Sequence, residues 1–126
     1  MSRPLASKLC VKEGDRIAIL NPPLGYGQIV GELPDNVTIT NSLEGEFNMI
    51  HFFVIKRKKL EEGLSQLKDA LREDGLLWVS YPKGSQLNAD INRESIAAYA
   101  KTIGLKPVTQ VSVDHTWSAL RLKVVD

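Results

Sequence analysis

The hydrophobic positions of this chain follow two periods, and the switches between them outline the fold. Ile17-Ala18-Ile19-Leu20 and Met49-Ile50-His51-Phe52-Phe53-Val54-Ile55 are almost continuously apolar, as in strands covered on both faces. Leu76-Leu77-Trp78-Val79-Ser80 reads the same way and ends at Tyr81-Pro82-Lys83-Gly84. Val37-Thr38-Ile39-Thr40 alternates and is rich in β-branched residues, which predicts a half-exposed strand. Between them the period changes. Leu60, Leu64, Leu67 and Leu71 recur at helical spacing, predicting a helix over Arg57–Asp74 that Gly75 closes as a left-handed cap.

Shorter helices are expected over Pro4–Lys12, with Leu5, Leu9 and Cys10 on one face, and over Leu24–Glu32, where Pro34 stops the turn. A further helix starts from a cap at Asn92 or Ser95 and runs to Ile103, with Gly104 after it. Two closing strands, Val108–Val113 and Trp117–Val124, meet across Asp114-His115-Thr116 and so form an antiparallel hairpin. In the second, Leu120, Leu122 and Val124 face one way while Arg121 and Lys123 face the other. That hairpin belongs at or near a sheet edge.

Strands alternating with helices define an α/β domain, a three-layer Rossmann-like, mostly parallel sheet of about six strands. Placing the doubly apolar strands centrally gives the order 2-1-3-4-6-5, with the last strand of the sequence antiparallel. The order reverses between strands one and three. The ligand crevice of such a sheet lies at that point, beside Asn21–Gly27.

Composition bounds the rest. A chain of 126 residues makes one domain, spanning 1–126, that buries roughly two thirds of its unfolded surface. Sixteen basic against fifteen acidic residues leave a net charge of +1, so no global field draws the chain to nucleic acid or to an anionic membrane. One cysteine excludes an internal disulfide, and with two distant histidines it assembles no zinc-ligand spacing. The opening residues Met1–Lys8 lack the apolar run of a signal peptide, and no segment is long and apolar enough to span a membrane. A cytoplasmic protein is the expectation.

The candidate chemistry collects at the strand ends. Gly25 and Gly27 would let backbone approach a bound group, but the Gly25-x-Gly27-x-x-x-Gly31 spacing is not a dinucleotide fingerprint; these glycines also serve simply to shape a turn and to let a helix pack closely at Gly31. Lys56-Arg57-Lys58-Lys59 places cations at a helix N-terminus, where each is unfavourable by about 0.3–1 kcal/mol. Read functionally, Lys56 or Arg57 joins Lys83 from the next strand end to hold a phosphate or carboxylate, and Lys83→Ala then weakens binding at least tenfold. Asn21 and Tyr26 complete the loop side, and Tyr81 and Trp117 supply rings on which a planar ligand could stack. His51 reads as a hydrogen-bonded core histidine. Cys10 reads as a small core residue rather than a nucleophile. His115, in the hairpin turn, is the general-base candidate, although Asp114 points to the opposite face and no nucleophile completes the set.

With these residues placed, the chain resembles a shortened Rossmann-type methyltransferase. Gly75 through Ser80 after a leucine-rich helix is similar to that fold's fifth strand, and the closing hairpin is similar to its last two. More closely, it resembles a family of small bacterial proteins of unknown function. The shared signatures are Ile19-Leu20-Asn21 with Gly25-Tyr26, the strand Ile50–Val54, the segment Trp78–Lys83, and Asp114–Leu120. The resemblance implies the fold and carries no activity. Methyltransferases place an acidic residue and a glycine run directly after strand one and an acid at the end of strand two; this chain has Asn21-Pro22-Pro23-Leu24 and Thr40-Asn41. The usual mode of S-adenosylmethionine binding is therefore in doubt. The sequence predicts a non-catalytic methyltransferase-like domain that binds a small anionic ligand, with a homodimeric interaction module or a methyltransferase completed by a partner as alternatives.

Overall fold

The computed structural model describes residues 5–125 and contains a six-stranded sheet of order β2-β1-β3-β4-β6-β5. The strands are β1 (Arg16–Leu20), β2 (Thr38–Thr40), β3 (Phe47–Phe53), β4 (Leu71–Pro82), β5 (Leu105–Ser112) and β6 (Trp117–Val124). The helices are α1 (Leu5–Lys8), α2 (Tyr26–Val30), α3 (Arg57–Ala70) and α4 (Arg93–Thr102), with a 3-10 segment at Lys83–Asn88. β1 pairs parallel with both β2 and β3, and β3 pairs parallel with β4. β6 is antiparallel to both of its neighbours. The expected order and direction hold throughout the sheet. Leu20 lies opposite Phe52, so the first and third strands end side by side.

Pleating divides the core between the two faces of the sheet. Ile50 and Phe52 of β3 pack with Leu77 and Val79 of β4 under Leu60, Leu64 and Leu67 of α3 and Ile96 and Ala100 of α4. Met49 and Phe53 pack with Trp78, Trp117 and Ala119 under Leu5 and Leu9 at the first helix and Val30 of α2. The indole N–H of Trp78 donates to the Leu9 carbonyl at 3.1 Å and ties the N-terminal turn to the sheet. Cys10 does not join that core. It is exposed, at φ 67°, because α1 ends at Lys8 and the chain turns sharply through Leu9 and Cys10. Pro4, the expected start of this helix, lies outside the described residues.

Further helix ends differ from the sequence expectation. α3 stops at Ala70, four residues before Asp74, and Leu71 turns extended to pair with Phe47. Asp74, not Gly75, takes the left-handed conformation, at φ 64°. Gly75 serves a different need. A Cβ there would lie 2.8 Å from both the Arg72 carbonyl oxygen and the Leu71 side chain, so the tight turn leaves room for hydrogen alone. α2 is shorter than Leu24–Glu32, opening after Gly25 at φ 80° and closing at Gly31 at φ 75°. Gly31 thus ends the helix through its backbone, and no atom crowds the place of its missing side chain. α4 begins with a reciprocal capping box: Asn92 Oδ1 accepts from the Ser95 N–H, and Ser95 Oγ accepts from the Asn92 N–H, both at 2.9 Å. No helix among the described residues is long and apolar enough to cross a membrane.

Candidate functional site

Parallel pairing brings the carboxyl ends of β1 and β3 together, and antiparallel β6 starts at the same end with Trp117. A hollow of about 740 Å³ opens there, within the range typical of small-molecule sites. The loop after β1 lines it with Asn21, Pro22, Pro23 and Leu24, and α2 adds Ile29. Phe53, Val54, Ile55 and Lys56 follow from the end of β3, and Lys59 from the first turn of α3. Leu87, Asp114, Thr116 and Trp117 complete the lining. Phe53, Val54 and Trp117 are buried, and the rings of Phe53 and Trp117 are set edge to face at 5.1 Å. At the mouth, Leu24 is fully exposed and Leu87 is 53% exposed. Leu87 also holds φ 58°, an outlier for a branched apolar residue, beside Asn88 at φ 55°.

The basic run is largely neutralised by its own surroundings. The Arg57 N–H, at the first turn of α3, donates to Asp90 Oδ1 at 2.6 Å, so this chain supplies the anion at that helix terminus. Arg57 also pairs with Glu61 at 3.4 Å and Lys58 with Glu62 at 4.0 Å. Lys56 Nζ donates to the Asn88 carbonyl at 2.5 Å and pins the strained 3-10 segment. Among the described residues the Lys59 ammonium has no hydrogen-bond or ion-pair partner, and it borders the hollow. Asp114, the acid of the lining, accepts from the backbone N–H groups of Thr116 and Trp117 at 2.8 Å each, shaping the hairpin turn.

Beneath the hollow lies a buried polar chain. His51 is fully buried on β3, with Tyr26 Oη 3.1 Å from Nδ1 and Ser80 Oγ 2.5 Å from Nε2. A neutral imidazole has one donor and one acceptor nitrogen, so both partners are matched when the chain Tyr26–His51–Ser80 runs in a single sense. Burial lowers the His51 pKa to about 3 and pushes the Tyr26 hydroxyl up. An imidazole that is neutral, sealed and bonded at both nitrogens is structural, as expected from its place among Phe52 and Phe53. Its ring stacks on Phe53 at 4.3 Å.

Of the residues singled out in the sequence, Asn21, Lys56 and Trp117 line the hollow. Gly25, Tyr26 and Gly27 do not. Gly25 sets the left-handed turn into α2, Gly27 sits exposed within it, and the Tyr26 ring turns inward against His51 and Phe53. Arg57 points along its own helix to Glu61. Tyr81 packs on the α3–α4 face, because the pleat sends it opposite to Ser80, and its hydroxyl donates to Gln110 Oε1 at 2.8 Å. Burial pushes that hydroxyl's pKa up. Lys83 reaches across to Ser112 Oγ at 2.6 Å instead of toward Lys56. His115 is exposed at the tip of the hairpin, outside the hollow, and its carbonyl accepts from Gln86 Nε2 at 3.1 Å. Asp114 Oδ1 is occupied by backbone amides. Sequence reasoning passed over Lys59, Pro22, Pro23, Ile29 and Leu87. The free lysine was visible as the last member of the basic run; nothing local marks Leu87, which the 3-10 segment brings to the mouth.

These features define an α/β domain with a methyltransferase-like fold. The chain resembles a TehB-like methyltransferase from Corynebacterium glutamicum with a TM-score of 0.64 at 12% identity, over 98% of this chain and 89% of the other. It resembles an S-adenosylmethionine-dependent methyltransferase from Clostridium acetobutylicum with a TM-score of 0.60 at 9% identity, over 96% and 88%. A ribosomal-protein methylase from Lactobacillus delbrueckii gives 0.62 at 12% identity, over 95% and 74%. At such identities the likeness defines the fold alone. Residues 49–125 match the family described as protein of unknown function DUF3052, and the chain belongs to that family. No curated protein matches it in sequence.

Proposed function

We propose that this domain binds a small anionic ligand at the carboxyl ends of β1 and β3 and catalyses no reaction on it. The observation carrying this reading is the hollow itself, where buried Phe53 and Trp117 meet a lysine, Lys59, that has no partner among the described residues. Lys59 is exposed at the edge of this lining, so its ion pair with a ligand weakens as salt rises. Against catalysis, His51 is sealed in the core and His115 lies outside the hollow.

Several structural neighbours use S-adenosylmethionine, and the residues here do not fit that group. Pro22 and Pro23 stand where a glycine run would offer backbone N–H donors, and proline has none. β2 is three residues long and is followed by Asn41, so no carboxylate ends it to meet ribose hydroxyls. The hollow's acid, Asp114, already accepts two backbone bonds. A methyltransferase completed by a partner would have to receive these donors from that partner. The homodimer reading is disfavoured at the hairpin: edge strand β5 carries Pro107 and a register shift beside it, features that hinder strand addition.

A thermal-shift screen with small phosphates, carboxylates, nucleotides, S-adenosylmethionine and S-adenosylhomocysteine tests the proposal. A ligand at a hundred times its Kd stabilises the fold by about 2.7 kcal/mol, a shift of several degrees. The expected result is stabilisation by an anion that is lost in Lys59→Met. Failure of every anion to stabilise the protein overturns the reading.

A further inference from the structure

The hollow's lining narrows the class of anion. We infer that the ligand is a hydrophobic monocarboxylate, a flat or chain-like hydrocarbon body carrying a single carboxylate, and not a phosphate ester or nucleotide. The inference rests on the anion-binding reading above and makes it specific.

Charge comes first. Lys56, Lys59 and Asp114 border the hollow, which sums to one positive charge. A monoanion neutralises that lining. A dianionic phosphate leaves it negative, beside a carboxylate already held in place by two backbone amides.

Donor supply points the same way. A phosphate group in a protein is met by clustered N–H donors, commonly from a glycine-rich loop or a helix terminus. Here the loop facing the hollow is Asn21-Pro22-Pro23-Leu24, whose two central residues have no N–H groups, and Asp90 takes the Arg57 N–H at the start of α3. Lys59 remains, since the Lys56 ammonium is turned to the Asn88 carbonyl, with the Asn21 amide and the Thr116 hydroxyl at the border. One ammonium and one or two neutral donors satisfy a carboxylate. They leave a phosphate's oxygens short.

The body of the ligand follows from the remaining lining. Phe53 and Trp117 offer buried ring surface, and Leu24 and Leu87 stand exposed at the mouth. Leu87 is held there at φ 58°, a conformation that works against a leucine by about 1–2 kcal/mol. A hydrocarbon seated in the hollow would cover both leucines and give that placement a use.

Isothermal titration of the full chain with 4-phenylbutanoate, octanoate, 4-phenylbutanol, phenyl phosphate, AMP and inorganic phosphate decides the matter. The expected result is saturable binding of the two carboxylates, at least tenfold tighter than the alcohol or the phosphates. Lys59→Met should remove that tenfold preference over the alcohol. Quenching of Trp117 fluorescence, absent in Trp117→Phe, places the body in the hollow. Binding of phosphates or AMP in preference to the carboxylates overturns the inference and leaves the anion-binding proposal standing. Equal binding of alcohol and carboxylate, unchanged by Lys59→Met, overturns the role of charge. Binding of none of the six overturns both readings.

Discussion

The imidazole of His51 lies 4.3 Å from the ring of Phe53, nearly parallel to it, so that the residue lining the hollow rests on a buried titratable group. Through Tyr26 and Ser80, the same imidazole joins α2 to β3 and β4. The inner surface of the hollow therefore depends on one neutral histidine, and this has a consequence for acid stability.

An unfolded His51 takes up a proton near pH 6.5, whereas the folded one resists until about pH 3. Between those values the unfolded chain binds more protons, so folding free energy declines as pH falls, by up to about 1.4 kcal/mol per unit from this residue. Above pH 6.5 the residue adds no pH dependence. Urea unfolding at pH 7, 6, 5 and 4 should show this slope, and His51→Gln should flatten it while lowering stability at pH 7. An unchanged slope in the variant would show that other groups set the acid limit.

Asp90 accepts from the Arg57 N–H beside three further cations. Removing it leaves that N–H without its partner and the basic run without one of its counter-charges. Asp90→Ala should cost about 1 kcal/mol, the scale of a lost helix cap, with the loss shrinking in high salt. Chemical denaturation at two ionic strengths measures both parts. Salt-independent destabilisation would restrict Asp90 to hydrogen bonding.

Lys83 was expected to converge with Lys56 on an anion. In the structure its ammonium donates to Ser112 Oγ, across the hairpin. Lys83→Ala should thus leave carboxylate affinity within about twofold, while Lys59→Met weakens it tenfold, a loss of about 1.4 kcal/mol. A tenfold loss in Lys83→Ala would return that side chain to the site.

Leu87 combines a left-handed backbone with an exposed side chain. Glycine relieves about 1–2 kcal/mol of strain there and loses about 0.5–1 kcal/mol to chain entropy. Leu87→Gly should leave the free protein as stable or slightly more so, yet weaken a hydrophobic ligand. Thermal melts with and without 4-phenylbutanoate separate the two effects. Lower stability of the free variant would mean that Leu87 supports the fold itself.

Much of this protein is written along the chain. Continuous apolar runs placed β1, β3 and β4 centrally, because only strands covered on both faces can bury them. Alternation at Leu120 and Leu122 put β6 one step outward, and the leucine spacing placed α3. His51 was legible as a core histidine from its neighbours alone. What local pattern could not settle was decided by the partner each side chain finds. Pleating turned Tyr81 to the opposite face from Ser80, Ser112 drew Lys83 across the hairpin, and Asp90 came from 33 residues away to cap α3. Leu71 left its helix because Phe47 offered a place in the sheet. Sequence fixes which residues must be buried; which polar groups stay free to meet a ligand depends on contacts between segments distant along the chain, and these exist only once the sheet has formed.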